Sequence, residues 1–231
     1  MKIKAFTLAE VLITLAVIGV VAALTMPIVI GKYQKKVLVT QLKKEYTLIN
    51  NVVRRIYVDD NCETFSCAFQ KDDADYMVPK LKKYMNIYDV DDNSGDLKDF
   101  VKAINSNENI VVYNGFTVYE FSFRLNDGSR WYYNGSYGKG GIITVDVNGD
   151  KNPNKVGRDF FQMFITEKGY VEPMLGKGWV DSLCDMSSCD DGFQEEWLSQ
   201  VSEACQTNTN SGDLLGPCLN RIISDGWEMK Y

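Results

Sequence analysis

Three groups of residues in this sequence have types and spacings suited to chemistry. Glu10 is the only ionisable side chain in the apolar run from Phe6 to Ile30. Asp146, Asn148, Asp150, Asn152 and Asn154 fall on alternate positions of VDVNGDKNPNKVGRDFF, and Asp159 follows them. Six cysteines stand at positions 62, 67, 184, 189, 205 and 218, and histidine is absent.

A carboxylate inside a membrane-crossing segment costs about 2.5–3.5 kcal/mol on insertion scales, so Glu10 needs a reason to be there. Close to a helix start it can snorkel to the headgroups and complement the positive end of the helix dipole. Alternatively it is neutralised by a cationic partner that the run itself does not contain.

The alternating Asp and Asn side chains of residues 146–154 suit a tight loop that turns several oxygens toward one hard cation, calcium above all. An EF-hand requires Gly at its sixth position and Glu at its twelfth. Counted from Asp146 these are Lys151 and Gly157, so the segment is not an EF-hand. Asn, Gly, Asp and Pro are also the residues of any turn between strands, and that reading stands beside the cation one.

For the cysteines, disulfides lead. The spacing of Cys62 with Cys67 and of Cys184 with Cys189 also admits a four-thiolate zinc cluster. An extracytoplasmic domain favours bridges. Pairing neighbours, Cys62 with Cys67, Cys184 with Cys189 and Cys205 with Cys218, closes only short loops, although six cysteines allow fifteen connectivities.

Enzyme signatures are missing. There is no G-x-S-x-G elbow, phosphate-binding G-x-x-x-x-G-K-[ST] or H-E-x-x-H, and no histidine to activate a nucleophile. GKGG at 138–141 reads as a glycine turn, and the acid pairs Asp190–Asp191 and Glu195–Glu196 read as solvated surface. No catalytic residue or required cofactor is expected. A net charge of −6 disfavours nucleic-acid binding. Trp131, Tyr132, Tyr133 and Trp179 either pack a sheet by alternation or offer a surface to glycans or partner subunits.

These residues must be positioned by a small set of elements. Phe6–Ile30 is long enough to cross about 30 Å of hydrocarbon as a helix. After Gly31, Val39, Leu42, Tyr46, Ile49, Val53 and Ile56 recur at spacings of three and four among Lys, Gln, Glu and Arg, which predicts an amphipathic continuation to about Tyr57. Pro27 and Gly31 are the natural places for it to bend or melt. Residues 59–109 read as a polar loop with short helices at YMVPKLKKYMNI and GDLKDFVKAI. NIVVYNGFTVYEFSFRL, RWYYNG, GGIITVDV and FFQMFITEKGYVEP supply an antiparallel sheet of about four strands, with NDGS as a turn. FQEEWLSQVSEAC and PCLNRIISDGWEMKY predict helices in the tail.

The leader is unusual. In a secretory signal the apolar stretch precedes the cleavage site. Here Lys2 and Lys4 precede Ala5, and the apolar stretch follows it. A cut after Ala5 would leave a new amine on Phe6 with Glu10 as the fifth residue. AFTLAEVLITLAVIGVVAAL resembles the class III leader and N-terminal helix of type IV pilins and type II secretion pseudopilins, over roughly residues 1–31. The resemblance implies cleavage between Ala5 and Phe6 and methylation of Phe6 by prepilin peptidase. It also implies pairing of Glu10 with the N-terminal amine of a neighbouring subunit during assembly. Gly19 and Pro27 resemble the family's helix-weakening positions, whereas Ala5 stands where Gly is more usual. The segment D-x-N-G-x-x-x-P-N-x-x-G-x-D is similar to a loop of many bacterial pilin-like proteins. Calcium binding by major pseudopilins makes Asp146, Asn148, Asp150 and Asp159 the implied ligands.

The expected fold is α+β: a long N-terminal helix, transmembrane then amphipathic, packed on an antiparallel sheet head with a disulfide-pinned C-terminal region. The regions are a leader at 1–5, a transmembrane and polymerisation helix at 6–31, and an extracytoplasmic domain at 32–231. Lysines flank the span on both sides, so they do not orient it. The cysteines and the resemblance place the N-terminus in the cytoplasm and the domain outside. The expected function is a structural subunit of a type IV pilus or type II secretion pseudopilus, anchored in the cytoplasmic membrane before assembly into a surface filament or periplasmic pseudopilus. Its partners would be copies of itself, other pilins, prepilin peptidase, the inner-membrane assembly platform and membrane lipid. Alternatives are a minor tip pilin that binds surfaces, DNA or cargo, and a membrane-anchored extracytoplasmic enzyme or metal-binding domain.

Overall fold

The structure is a computed structural model that describes residues 7–69, 73–97, 118–137, 139–152, 154–174 and 217–230. The chain divides into two compact units, Met1–Val37 and Leu38–Tyr231. Helix α1 spans Leu8–Asp59.

In the first unit α1 carries no charged side chain between Glu10 and Lys32. Its most apolar window has a mean hydropathy of 2.6. The expected bend does not interrupt it, and the helix continues through Pro27 and Gly31. Pro27 removes one i→i−4 bond, to the Ala23 carbonyl, and the turns on either side carry the helix across that single loss. Two residues earlier, Thr25 Oγ1 donates to the Val21 carbonyl at 2.9 Å.

In the second unit α1 buries a stripe of Leu38, Val39, Leu42, Glu45, Ile49, Val52, Val53 and Ile56, the three-and-four spacing of one helical face. This stripe packs on one face of a six-stranded antiparallel sheet in the order β1-β4-β5-β6-β7-β8. The strands are β1 (Ile87–Asp91), β4 (Phe121–Leu125), β5 (Arg130–Tyr137), β6 (Gly140–Asp146), β7 (Phe160–Ile165) and β8 (Val171–Pro173). Gly95–Asp96 (β2) and Val118–Tyr119 (β3) form a separate two-stranded ladder. The sheet is therefore larger than the four strands expected. β1 escaped because it is an edge strand whose central residues are exposed, so it has no alternating signature. β8 is only three residues long.

Period-two alternation sorts the sheet's two faces. Phe123, Trp131, Val145 and Phe161 stand opposite one another across β4 to β7 and belong to the core with α1. On the other face Tyr132 packs with Leu97, Val156, Phe160 and Tyr119. Trp131, Tyr132 and Tyr133 are all buried. Alternation, not surface display, accounts for the WYY triplet. Trp179 lies outside the described residues.

Smaller pieces close the core. The Cys62–Cys67 bridge ends within α2 (Phe65–Ala68), started by Thr64, whose side chain accepts from the Cys67 N–H at 3.4 Å. α2 presents Phe65 and Phe69, stacked at 5.0 Å between centroids, to the core. α3 (Ala74–Leu81) begins at an Asp73 cap. It ends sooner than YMVPKLKKYMNI predicts, because Ile87 joins β1. Lys80 reaches from α3 to the Ala68 carbonyl and the Asp60 carboxylate. In GDLKDFVKAI, Gly95 and Asp96 form strand rather than helix, and the residues from 98 on lie outside the described set. α4 (Pro217–Ser224) confirms the predicted last helix, burying Cys218, Leu219 and Ile222. FQEEWLSQVSEAC lies outside the described residues.

Candidate functional site

Ala5 and Phe6 lie outside the described residues. Glu10 is described, in the first turn of α1. Thr7 immediately precedes the helix, and its backbone N–H and its hydroxyl both reach Glu10 Oε2, at 2.9 and 3.0 Å. The Glu10 N–H donates back to Thr7 Oγ1 at 3.2 Å. This is a reciprocal capping box, T-x-x-E, which satisfies helix N–H groups left without partners. The signal for it in the sequence is the three-residue spacing of Thr7 and Glu10. Within one chain, then, Glu10 already caps its own helix. Its two bonds to Thr7 fall on one carboxylate oxygen, Oε2.

The flanks of this corner are apolar and exposed. Leu8, Leu12, Ile13, Leu15, Ile18 and Leu24 are each more than half exposed. Among the described residues, α1 is the one helix long and apolar enough to cross a membrane.

The Asp and Asn segment follows β6. Asp146 ends that strand, and Asp159 directly precedes β7. Both carboxylates are buried, at 1% and 0% exposure. Asp146 Oδ1 accepts from the Asn148 N–H at 3.2 Å, and Asn148 Nδ2 faces Asp159 Oδ2 at 3.4 Å. Asp159 also accepts from the Lys155 N–H and lies 3.8 Å from the Arg158 guanidinium. Burial, with the charge of Asp159 beside it, pushes the Asp146 carboxyl up to about 8, against the pull of the Asn148 and Gly149 N–H groups. Burial also raises Asp159, opposed by the Lys155 N–H and Arg158. The amide oxygens of Asn148 and Asn154 are buried without a hydrogen-bond partner.

The structure thus brings Asp146, Asn148 and Asp159 together and sends Asp150 elsewhere. The Asp150 carboxylate is exposed and pairs with Arg124 on β4, which also meets Asp89 at 3.2 Å. Asn154, outside the four implied ligands, offers one of the two unpartnered amide oxygens. Its signal was its place in the alternating series. Among the described residues no group of three or more Asp, Glu, Cys or His side chains is gathered as a metal would require.

Of the cysteines, Cys62 and Cys67 are bridged as nearest neighbours. Cys218 is disulfide-bonded to a partner outside the described residues. Cys184, Cys189 and Cys205 also lie outside them, so the other two expected pairings do as well.

A long apolar N-terminal helix whose second half packs on an antiparallel sheet, with a disulfide-closed loop at its end, defines an α+β protein that fits the pilin-like fold. Residues 1–26 match the prokaryotic N-terminal methylation motif, so the chain carries the class III prepilin leader of type IV pilins and pseudopilins. No curated protein and no solved structure matches the chain. The leader and the apolar helix together fit membrane anchoring.

Proposed function

We propose that this chain is a structural subunit of a type IV pilus or type II secretion pseudopilus. Prepilin peptidase would cut it before Phe6, and it would polymerise through its N-terminal helix. The observation that carries this reading is the conjunction of the methylation motif with an apolar helix exposed on every side. A helix of that kind buries its surface in lipid or against copies of itself. The cut leaves a cationic amine one residue before the Thr7 cap. Glu10 would meet that amine on a neighbouring copy, neutralising two charges in a lipid-facing bundle. The chain would be a substrate of the peptidase and not itself an enzyme. Its head would face the extracytoplasmic side, and its partners would be other pilins and the inner-membrane assembly platform.

The test is complementation with Glu10→Gln, which keeps size and polarity but loses the charge. The variant should be cleaved and remain in the membrane, with filaments reduced at least tenfold. Filaments at the wild-type level would end the pairing argument.

The corner between β6 and β7 supports a second, separate proposal, that calcium binds there. Asp146 and Asp159 with the amide oxygens of Asn148 and Asn154 are hard oxygen donors of the kind calcium takes. Asp150, held by Arg124, would not be among the ligands. Millimolar calcium should raise the melting temperature over excess EDTA. An unchanged melting temperature would leave the corner as a turn.

A further inference from the structure

Among the described residues, the apolar core that α1 packs into holds a carboxyl group. Glu45 belongs to the buried stripe of α1, three residues after Leu42 and four before Ile49, and it is 1% exposed. An unpaired charge at such a position is strongly disfavoured. The groups that bear on it come from three elements. Trp131 of β5 donates its indole N–H to Glu45 Oε2 at 3.0 Å. Lys44, its neighbour on α1, sits 3.9 Å from Oε1. From the β4–β5 turn, Asp127 draws on the same Lys44 ammonium, which brings its carboxylate beside Glu45.

Two carboxyl groups set around one ammonium can hydrogen-bond to each other only when a proton lies between them, because ionised carboxylates are acceptors on both sides. The surroundings decide which one keeps it. Asp127 is served by the Lys44 ammonium and by the Ser129 N–H and hydroxyl, at 3.0 and 2.8 Å. Partial burial raises Asp127, but these bonds outweigh it and hold the carboxyl well below the usual carboxylate range. Glu45 has one donor, Trp131, and a more distant ammonium. Burial and the neighbouring Asp127 together push it up to about 8.

We propose that protonated Glu45 donates to ionised Asp127 and thereby forms a pH-sensitive latch fastening the head half of α1 to the β4–β5 turn. At acid to neutral pH the proton bridges helix and turn while Trp131 holds the other oxygen. As the pH rises the proton leaves to solvent, a carboxylate is left in the core beside the partly exposed carboxylate of Asp127, and the fastening turns repulsive. The device does not depend on filament formation. Any head exposed to an unbuffered extracytoplasmic medium would carry it.

The sign follows from linkage. The folded state keeps a proton that the unfolded chain releases above about 4.5, so stability falls as pH rises from there to about 8. Asp127 works in the opposite sense, losing its contribution only under strongly acid conditions.

Glu45→Gln supplies the test, because its amide oxygen can accept from Trp131 and its N–H donate to Asp127, as the protonated acid does. Urea unfolding of the full chain in detergent would be followed from pH 5 to pH 9. The wild-type folded-to-unfolded ratio should fall by up to about tenfold per pH unit within the window. Asp146 also titrates there but is common to both chains, so the difference between the profiles isolates Glu45. The variant should be the more stable chain at pH 8, by at least tenfold in that ratio, with the two converging near pH 5. Parallel profiles would overturn the proposal. If the variant does not fold, infrared spectra of wild type labelled with 13C at glutamate decide. A protonated glutamic-acid carbonyl band at pH 7 that vanishes with a midpoint near 8 supports the latch, and its absence at pH 7 refutes it.

Discussion

Replacing Gly149 by alanine tests how tightly the segment after β6 is built. Gly149 has a φ of +65°, and a Cβ there would sit 2.1 Å from the Gly128 carbonyl oxygen in the β4–β5 turn. Gly128 also has a positive φ, +91°, but a Cβ on it meets nothing within 4 Å. The pair separates two costs. Left-handed backbone costs an alanine about 1–2 kcal/mol, and the loss of glycine's unfolded-state freedom returns about 0.4–1 kcal/mol. Gly128→Ala should therefore lose about 1 kcal/mol. Gly149→Ala bears that and a clash with main chain, which no side-chain rotation relieves. Overpacking adds about 1–3 kcal/mol, for a total of about 2–4 kcal/mol. Urea unfolding of both variants in detergent reads the difference as a shift in midpoint at constant slope. Equal midpoints, or a larger loss for Gly128→Ala, would refute the close approach of the two turns.

Other perturbations address separate parts of the account. Cys62→Ser with Cys67→Ser opens a loop of sequence separation 5. It should cost about 2 kcal/mol from unfolded-chain entropy alone, read by denaturation against the oxidised wild type. Trp131→Phe keeps the ring contact with Phe123 but removes the indole donor to Glu45. It should cost about 1–3 kcal/mol in thermal unfolding, and a loss below about 0.5 kcal/mol would contradict the bond. Thr7→Val deletes the capping hydroxyl bonded to Glu10. Amide exchange in the first turn of α1 should speed up by several-fold, matching about 1 kcal/mol for a lost cap. Asp159→Asn should abolish the calcium-dependent rise in melting temperature, whereas Asp150→Asn should leave it intact.

What was legible in the sequence was what repeats over many residues. The apolar run and the stripe through Leu42, Ile49, Val53 and Ile56 are long-period signals, and α1 follows them to within two residues at each end. The four central strands carry alternating aromatic and β-branched residues and were placed correctly. Glu45 is among the polar residues interleaved with that stripe in the sequence, and the structure buries it within the stripe. Its partners, Asp127 and Trp131, are more than eighty residues away, and only tertiary structure joins them. Edge strand β1 was missed because neither pattern is imposed where one side has no neighbour. Asp146 and Asp159 were named together, but their burial was not foreseen. It arises because β6 and β7 bring both ends of the segment into the sheet, a consequence of register rather than residue type.

The central claim is that the leader is removed and the exposed helix becomes filament core. Intact mass of the protein sheared from the surface of cells with and without prepilin peptidase tests it most directly. For a surface pilus, the account predicts a chain beginning at methylated Phe6 in the sheared fraction, lost when the peptidase is absent. A pseudopilus, overexpressed so that it extends beyond the envelope, should give the same mass and the same dependence. A chain that retains Met1 and stays in the membrane whether or not the peptidase is present would contradict it.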